Sequence, residues 1–344
     1  MSDAANNAVN QGTVLVTGAA GFIGSAVAVR LAGMGYRVVG CDNFNDYYDP
    51  ALKHHRVQAL LGPAGVACET VELSDAGQTA ALFDRVQPAL VVHLAAQAGV
   101  RYSLKNPAAY VQSNLVAFGH ILEACRKHQT QHLVYASSSS VYGANAKTPF
   151  SESDQTDTPV SLYAATKKAN ELMAHTYSHL YGLPITGLRF FTVYGPWGRP
   201  DMAYFSFARK MLAGESIPVF AEGKLYRDFT YIDDIVEGVV RLLFKPSPQA
   251  AENGGKAPHA VFNIGNNSPV QVLDFIRTLE GAVGVKATLD FQPMQPGDVP
   301  ATHADTGKLQ DWVGYKPTTS LETGLREFAQ WYNQATRENV SYLK

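Results

Sequence analysis

The sequence is poor in cysteine: among 344 residues only Cys41, Cys68 and Cys125 occur. An odd, scattered trio excludes a disulfide framework and offers no pair at zinc-ligand spacing, so no metal is expected. Three unpaired thiols fit a reducing compartment, and a cytoplasmic protein is expected. Charge of one sign is also lacking. The 28 Lys and Arg stand against 30 Asp and Glu, and no long block of like charge occurs. This leaves no electrostatic footprint for a nucleic acid. No uninterrupted apolar run approaches the ~20 residues that a membrane span requires. Residues 1–11 are small and polar, without the basic start or apolar stretch of a signal peptide, and read as a flexible tail. Repeats and long low-complexity tracts are missing, although Pro246 to Pro258 reads as a mobile loop.

What is present is a chain with 46% hydrophobic residues, long enough to bury a substantial core. Its first half alternates short β-branched runs with longer amphipathic stretches. Strands are expected at Thr13–Thr17, Arg37–Cys41, Ala67–Glu72, Leu90–Leu94, His132–Ser137 and Ile185–Phe191. Helices are expected at Phe22–Met34, Ala76–Val86, Tyr110–Lys127 and Leu162–Tyr181. This order predicts an α/β fold: a Rossmann-type doubly wound parallel sheet, with ligands at the carboxyl ends of its strands. After Phe191 the pattern becomes mixed and is punctuated by Pro196, Pro200 and Pro218. Residues 12–191 are expected to form the dinucleotide-binding domain. Residues 192–226 and 266–335 are expected to form a smaller mixed α/β substrate-binding domain, and 227–265 to rejoin the main sheet in part.

Two constellations carry chemistry. Thr13-Val-Leu-Val-Thr-Gly18 leads into Gly18-Ala-Ala-Gly21-Phe-Ile-Gly24, a strand, a turn and the start of a helix. Glycines there permit the turn and let a pyrophosphate approach backbone N–H groups at a helix N-terminus. Asp42 ends the second strand, where a carboxylate accepts from the adenosine ribose and repels a 2′-phosphate, favouring NAD over NADP. The second constellation is Tyr163 and Lys167, four apart on a helix, with Ser138 after the strand that ends at Ser137. A cation near a phenol stabilises phenolate and makes it an acid/base. His93 reads as a strand-end histidine, and Tyr142, Tyr194 and Phe205 as core or pocket lining.

In this order the motifs resemble the extended short-chain dehydrogenase/reductase family, from about Gly12 to Trp331. The resemblance implies that Gly18, Gly21 and Gly24 hold the pyrophosphate of NAD and that Asp42 holds its ribose. It implies cofactor contacts from Phe22, Ile23, Leu73, Leu94, Ala95 and Ala96 as well. Tyr163 would be the base, Lys167 would bind the nicotinamide ribose and tune Tyr163, and Ser138 would be the hydroxyl partner. Where the family has an Asp-Leu pair near the adenine, this chain has Glu72-Leu73, which leaves that contact open.

Arg227-Asp-Phe-Thr-Tyr-Ile-Asp-Asp234 and Gly297-Asp298-Val299 resemble the segments of nucleotide-sugar epimerases that grip the diphosphate through Arg227 and the nucleoside ribose through Asp298. His93 to Ser103 and Leu188 to Ala203 resemble UDP-glucuronate 4-epimerases most. That resemblance implies a UDP-sugar substrate contacted by Ser139, Ser140, Thr192 and Arg199, and a homodimer built on the helices Tyr110–Lys127 and Leu162–Tyr181. A UDP-glucuronate decarboxylase and a neutral UDP-hexose 4-epimerase remain alternatives, and a non-catalytic NAD-sensing protein is a more distant one. A 4,6-dehydratase is disfavoured, because Ser138-Ser139-Ser140 lacks the acid that helps water leave.

Overall fold

The computed structural model describes residues 12–247, 257–294, 299–338 and 340–343. The expected tail at 1–11, most of the expected mobile loop at 246–258, and Asp298 lie outside them. Among the described residues twelve strands are present. Val14–Thr17 (β1), Val38–Asp42 (β2), Ala67–Thr70 (β3), Leu90–His93 (β4), His132–Ser138 (β5) and Ile185–Phe190 (β6) fall within a residue or two of the expected segments. They are followed by Thr192–Tyr194 (β7), Ser216–Phe220 (β8), Tyr226–Tyr231 (β9), His259–Ile264 (β10), Pro269–Gln271 (β11) and Thr288–Gln292 (β12).

Seven strands form one sheet in the order β10-β6-β5-β4-β1-β2-β3, every neighbour parallel. β1 and β6 are buried along their whole length, as strands covered on both faces must be. The chain moves outward from β1 through β2 to β3 and then crosses back to β4 on the other side of β1. The crevice between the carboxyl ends of β1 and β4 is therefore the topological switch point, where ligands bind in sheets of this kind.

The second half divides. Segment 259–264 joins the main sheet beside β6 as β10. Segment 226–231 does not: as β9 it lies between β7 and β11 in a separate three-stranded sheet. The helix that follows it, Ile232–Leu243, packs on the helix Phe22–Gly33. Strands β8 and β12 pair in parallel as a third, two-stranded sheet.

The helices Ala76–Val86 and Leu162–Tyr181 have the expected bounds, and the latter is capped by the Ser161 side chain and ended by Gly182 at φ 66°. The stretch expected as one helix from Tyr110 is instead Pro107–Tyr110, a widened π-type stretch Val111–Val116, and Ala117–Lys127. At its centre the Asn114 carbonyl accepts from Asn170 Nδ2 at 2.7 Å. A side chain inserted at this point goes with a local departure from α geometry, which occurs most often at functional sites.

Candidate active site

β1 ends at Thr17, and Gly18 turns the chain with φ +68°. A Cβ on Gly18 would meet the Ala95 nitrogen at 2.7 Å, and one on Gly24 would meet the Gly18 carbonyl oxygen at 2.1 Å, so both positions exclude a side chain. The helix Phe22–Gly33 starts from Gly21 without a side-chain cap. Its first N–H groups are thus left to whatever enters the cleft beside them. That cleft has a volume of about 450 Å³ and is lined by Gly18, Gly21, Phe22, Ile23 and Gly24 at this end.

The ends of β2 and β3 supply the next wall. Asp42 accepts from the Phe44 N–H at 2.8 Å, and Lys53 stands 3.4 Å from the same carboxylate oxygen, both side chains buried. Lys53 also donates to Asn45 at 3.0 Å. Glu72 accepts from Asn43 at 2.8 Å and from the Ser74 N–H and hydroxyl at 2.9 and 2.8 Å. Burial opposes its ionisation, yet these hydrogen bonds hold its carboxyl below the usual range. Leu73, Leu94, Ala95 and Ala96 line the same cleft.

The remaining wall carries Ser138, Tyr163 and Lys167. Ser138 ends β5 and accepts from the Ser140 N–H at 3.2 Å, which caps the turn Ser139–Tyr142. Tyr163 and Lys167 stand one turn apart on the helix Leu162–Tyr181. Burial pushes the Tyr163 phenol up, while its hydrogen bond with Ser138 and the charge of Arg199 act downward. Lys167, pushed down to about 7 by burial, donates to the Ala136 carbonyl at 2.8 Å. Arg199 is thus a cation that acts on the Tyr163 phenol, and Lys167 points its ammonium to the Ala136 carbonyl of β5. His93 sits behind them, bonded to the Thr17 hydroxyl at 2.8 Å and pushed down to about 3 by burial and by Lys167, so it is neutral.

Ser139, Ser140, Thr192 and Arg199 also line the cleft. Arg199 makes two contacts with Asp201, 3.0 and 2.6 Å, and Tyr47 donates to that carboxylate at 3.1 Å. Arg227 is not brought into this lining; it donates to the carbonyls of Tyr226 and Val299 at 2.8 and 3.0 Å. It thereby adjoins Val299, the one described residue of the second stretch expected at the nucleotide.

Sequence reading missed Asn43, Asn45, Tyr47 and Lys53 in the lining, although Asn43 and Asn45 lie one and three residues after Asp42. It also missed Asn114, which is buried and bridges two site segments. Asn114 accepts from the Gln97 N–H at 2.8 Å and meets Thr166, on the helix of Tyr163, at 3.0 Å. Nothing in the local sequence marks it, because its partners lie 17 and 52 residues away.

A sequence model of the NAD dependent epimerase/dehydratase family matches residues 14–265. UDP-glucuronate 4-epimerase 1 of Arabidopsis thaliana is 54% identical over 329 residues, 93% of this chain and 76% of that protein. An uncharacterised 37.6 kDa protein of Escherichia coli O111:H- is 54% identical over 326 residues, 92% of this chain and 97% of that one. Among solved structures, UDP-glucuronic acid 4-epimerase from Bacillus cereus, in complex with UDP-glucuronic acid and NAD, superposes with a TM-score of 0.84. It is 35% identical and covers 94% of this chain and 99% of its own.

Proposed function

The chain belongs to the NAD dependent epimerase/dehydratase family, and on that premise we propose that it is an NAD-dependent UDP-glucuronate 4-epimerase, interconverting UDP-glucuronate and UDP-galacturonate. The observation that carries this reading is a single cleft. It joins the glycine turn and Asp42 to Ser138, Tyr163 and Lys167, and these to Thr192 and Arg199.

The residues fit NAD. A side chain at Gly18 or Gly24 would fill the turn, and the uncapped N-terminus of the helix Phe22–Gly33 suits a pyrophosphate. Gly18, Gly21 and Gly24 hold it, with Phe22 and Ile23 at the helix start. Asp42 would take the adenosine ribose, Leu73 would meet the adenine, and Leu94, Ala95 and Ala96, which follow β4, would meet the rest of the cofactor. Bound there, NAD would supply reversible hydride acceptance at sugar C4, with the hydride returned to the other face, so the reaction would be redox-neutral.

Tyr163 removes the C4 hydroxyl proton, with Ser138 between them, and later gives it back. Lys167 holds the nicotinamide ribose. The hydroxyls of Ser139, Ser140 and Thr192 donate to the sugar carboxylate, and the Arg199 guanidinium completes that charge. The turn after β5 offers only hydroxyls. The carboxylates of the lining, Asp42 and Glu72, belong to the ends of β2 and β3. This favours epimerisation over elimination. Asp298, within the smaller domain of residues 192–226 and 266–335, and Arg227, in β9 beside that domain, serve the UDP moiety.

The outer faces of the helices around Val111 and Leu162–Tyr181 expose Val111, Leu172, Leu180 and Tyr181, which supports a homodimer. Three free thiols support a cytoplasmic location. Among the described residues no helix is long and apolar enough to cross a membrane. Incubation of purified protein with UDP-glucuronate, followed by NMR, is expected to yield UDP-galacturonate. UDP-xylose as the main product would make the protein a decarboxylase, and turnover of UDP-glucose alone would move it to neutral sugars.

A further inference from the structure

Arg56, at the end of the helix Pro50–Arg56, is fully buried, and none of its acceptors is a carboxylate. Its Nε and Nη2 donate to the Trp197 carbonyl at 2.9 and 2.7 Å, and Nη2 also to that of Gly198 at 3.1 Å. Its Nη1 donates to the Ala20 carbonyl at 3.0 Å and to the Tyr48 hydroxyl at 2.8 Å. A buried charge is costly unless its donors are met, and here backbone carbonyls from two distant loops meet most of them.

Those loops are the glycine turn, through Ala20, and the segment leading to Arg199. That segment is strained. Trp197 has φ +64°, a left-handed conformation that a bulky side chain rarely adopts. Gly198 is confined as well, since a Cβ there would meet the Tyr204 hydroxyl at 1.8 Å. Strain of this kind persists only where the surroundings over-determine it. The carbonyl held twice by Arg56 is that of the strained residue, two positions before Arg199.

We propose that Arg56 is the positioning residue for Arg199: it fixes Trp197 in its left-handed conformation and locks the 197–199 segment to the cofactor turn. The inference rests on the reading above in one respect, that Arg199 acts on the sugar. Lysine cannot reproduce the fork that reaches both loops, so Arg56→Lys removes the lock while keeping the charge.

The test is a double-mutant cycle. Arg56→Lys is expected to lower kcat/KM for UDP-glucuronate by about a hundredfold, as small displacements of a positioning group do. NAD content should be retained. In an Arg199→Met background the same change should cost almost nothing. Full, multiplicative losses in the double mutant would overturn the proposal. If Arg56→Lys does not fold, Tyr48→Phe, which removes one of the partners of Arg56, replaces it in the cycle; a smaller loss that vanishes in the Arg199→Met background is expected, and an undiminished one overturns the proposal. A crystal structure of whichever variant folds decides independently of activity. Trp197 is expected to leave its positive φ and Arg199 to shift from Asp201, and retention of both would sink the idea even if the enzyme proved to act on another sugar.

Discussion

Glu171 and Arg189 meet in a two-pronged ion pair, 2.8 Å on each arm, with both side chains buried. Ser137 donates to the same carboxylate at 2.7 Å, and Tyr142 lies 3.0 Å from the free end of the guanidinium. The pair binds the helix of Tyr163 and Lys167 to β5 and β6 directly beneath the cleft. Removing one partner strands the other charge, so Glu171→Gln is expected to lower unfolding stability by about 3–5 kcal/mol. Urea unfolding measures it, and an unchanged midpoint would mean that the pair contributes nothing net.

Tyr163→Phe should leave fold and NAD content intact while kcat falls by roughly 10²–10⁴-fold, the range for a positioned acid/base. Lys167→Met should reduce both NAD content and rate. Steady-state kinetics with cofactor release on denaturation separates the two cases. More than about a tenth of wild-type activity in Tyr163→Phe would remove Tyr163 from the chemistry.

Thr192→Val probes the carboxylate. Oxidation at C4 makes the sugar a β-keto acid, which loses carbon dioxide when the carboxylate stands perpendicular to the carbonyl plane. A hydroxyl that holds the group near that plane suppresses the loss. The variant is expected to turn over UDP-glucuronate more slowly or to release UDP-pentose, with NAD binding unchanged. Unaltered kinetics and product purity, read by NMR, would take Thr192 out of the site.

Acid stability follows from His132. Its ring lies between the Leu243 carbonyl at 2.8 Å and the Thr186 hydroxyl at 2.9 Å, and burial pushes it down to about 4. The unfolded chain takes up the proton near pH ~6.5. Between these values the unfolded state binds more protons, so stability is full above about 6.5 and declines as pH falls toward about 4. This one group accounts for a loss on the order of 3 kcal/mol. His259, pushed down to about 4, and His93 add in the same direction. Thermal melts of His132→Gln from pH 7 to 4 should show a shallower decline than wild type; identical slopes would contradict the assignment.

The main sheet was legible because β1, β2, β4, β5 and β6 are short apolar runs separated by helical periodicity. The cofactor turn was legible for the same local reason, since Gly18, Gly21 and Gly24 share one turn. Residues acting across the fold were not. Arg56 reads as one basic residue in Lys53-His-His-Arg56, and its carbonyl acceptors lie 36 to 142 residues away. The pairing of β9 with β7 and β11, and not with the main sheet, was equally hidden. A strand's apolar pattern says that it is buried but does not say against which partner.

Strand β10 also bears on how the chain can be divided. β6 is covered on one side by β5 and on the other by residues 259–264, which return after the excursion through β7, β8 and β9. A fragment ending at Phe191 would keep the glycine turn, Tyr163 and Lys167, yet would leave β6 as an apolar edge with a row of unpaired N–H and C=O groups. Such an edge is a template for joining another chain. The first 191 residues, made alone, are therefore expected to self-associate, and the cofactor site to be inseparable from the sequence that completes it.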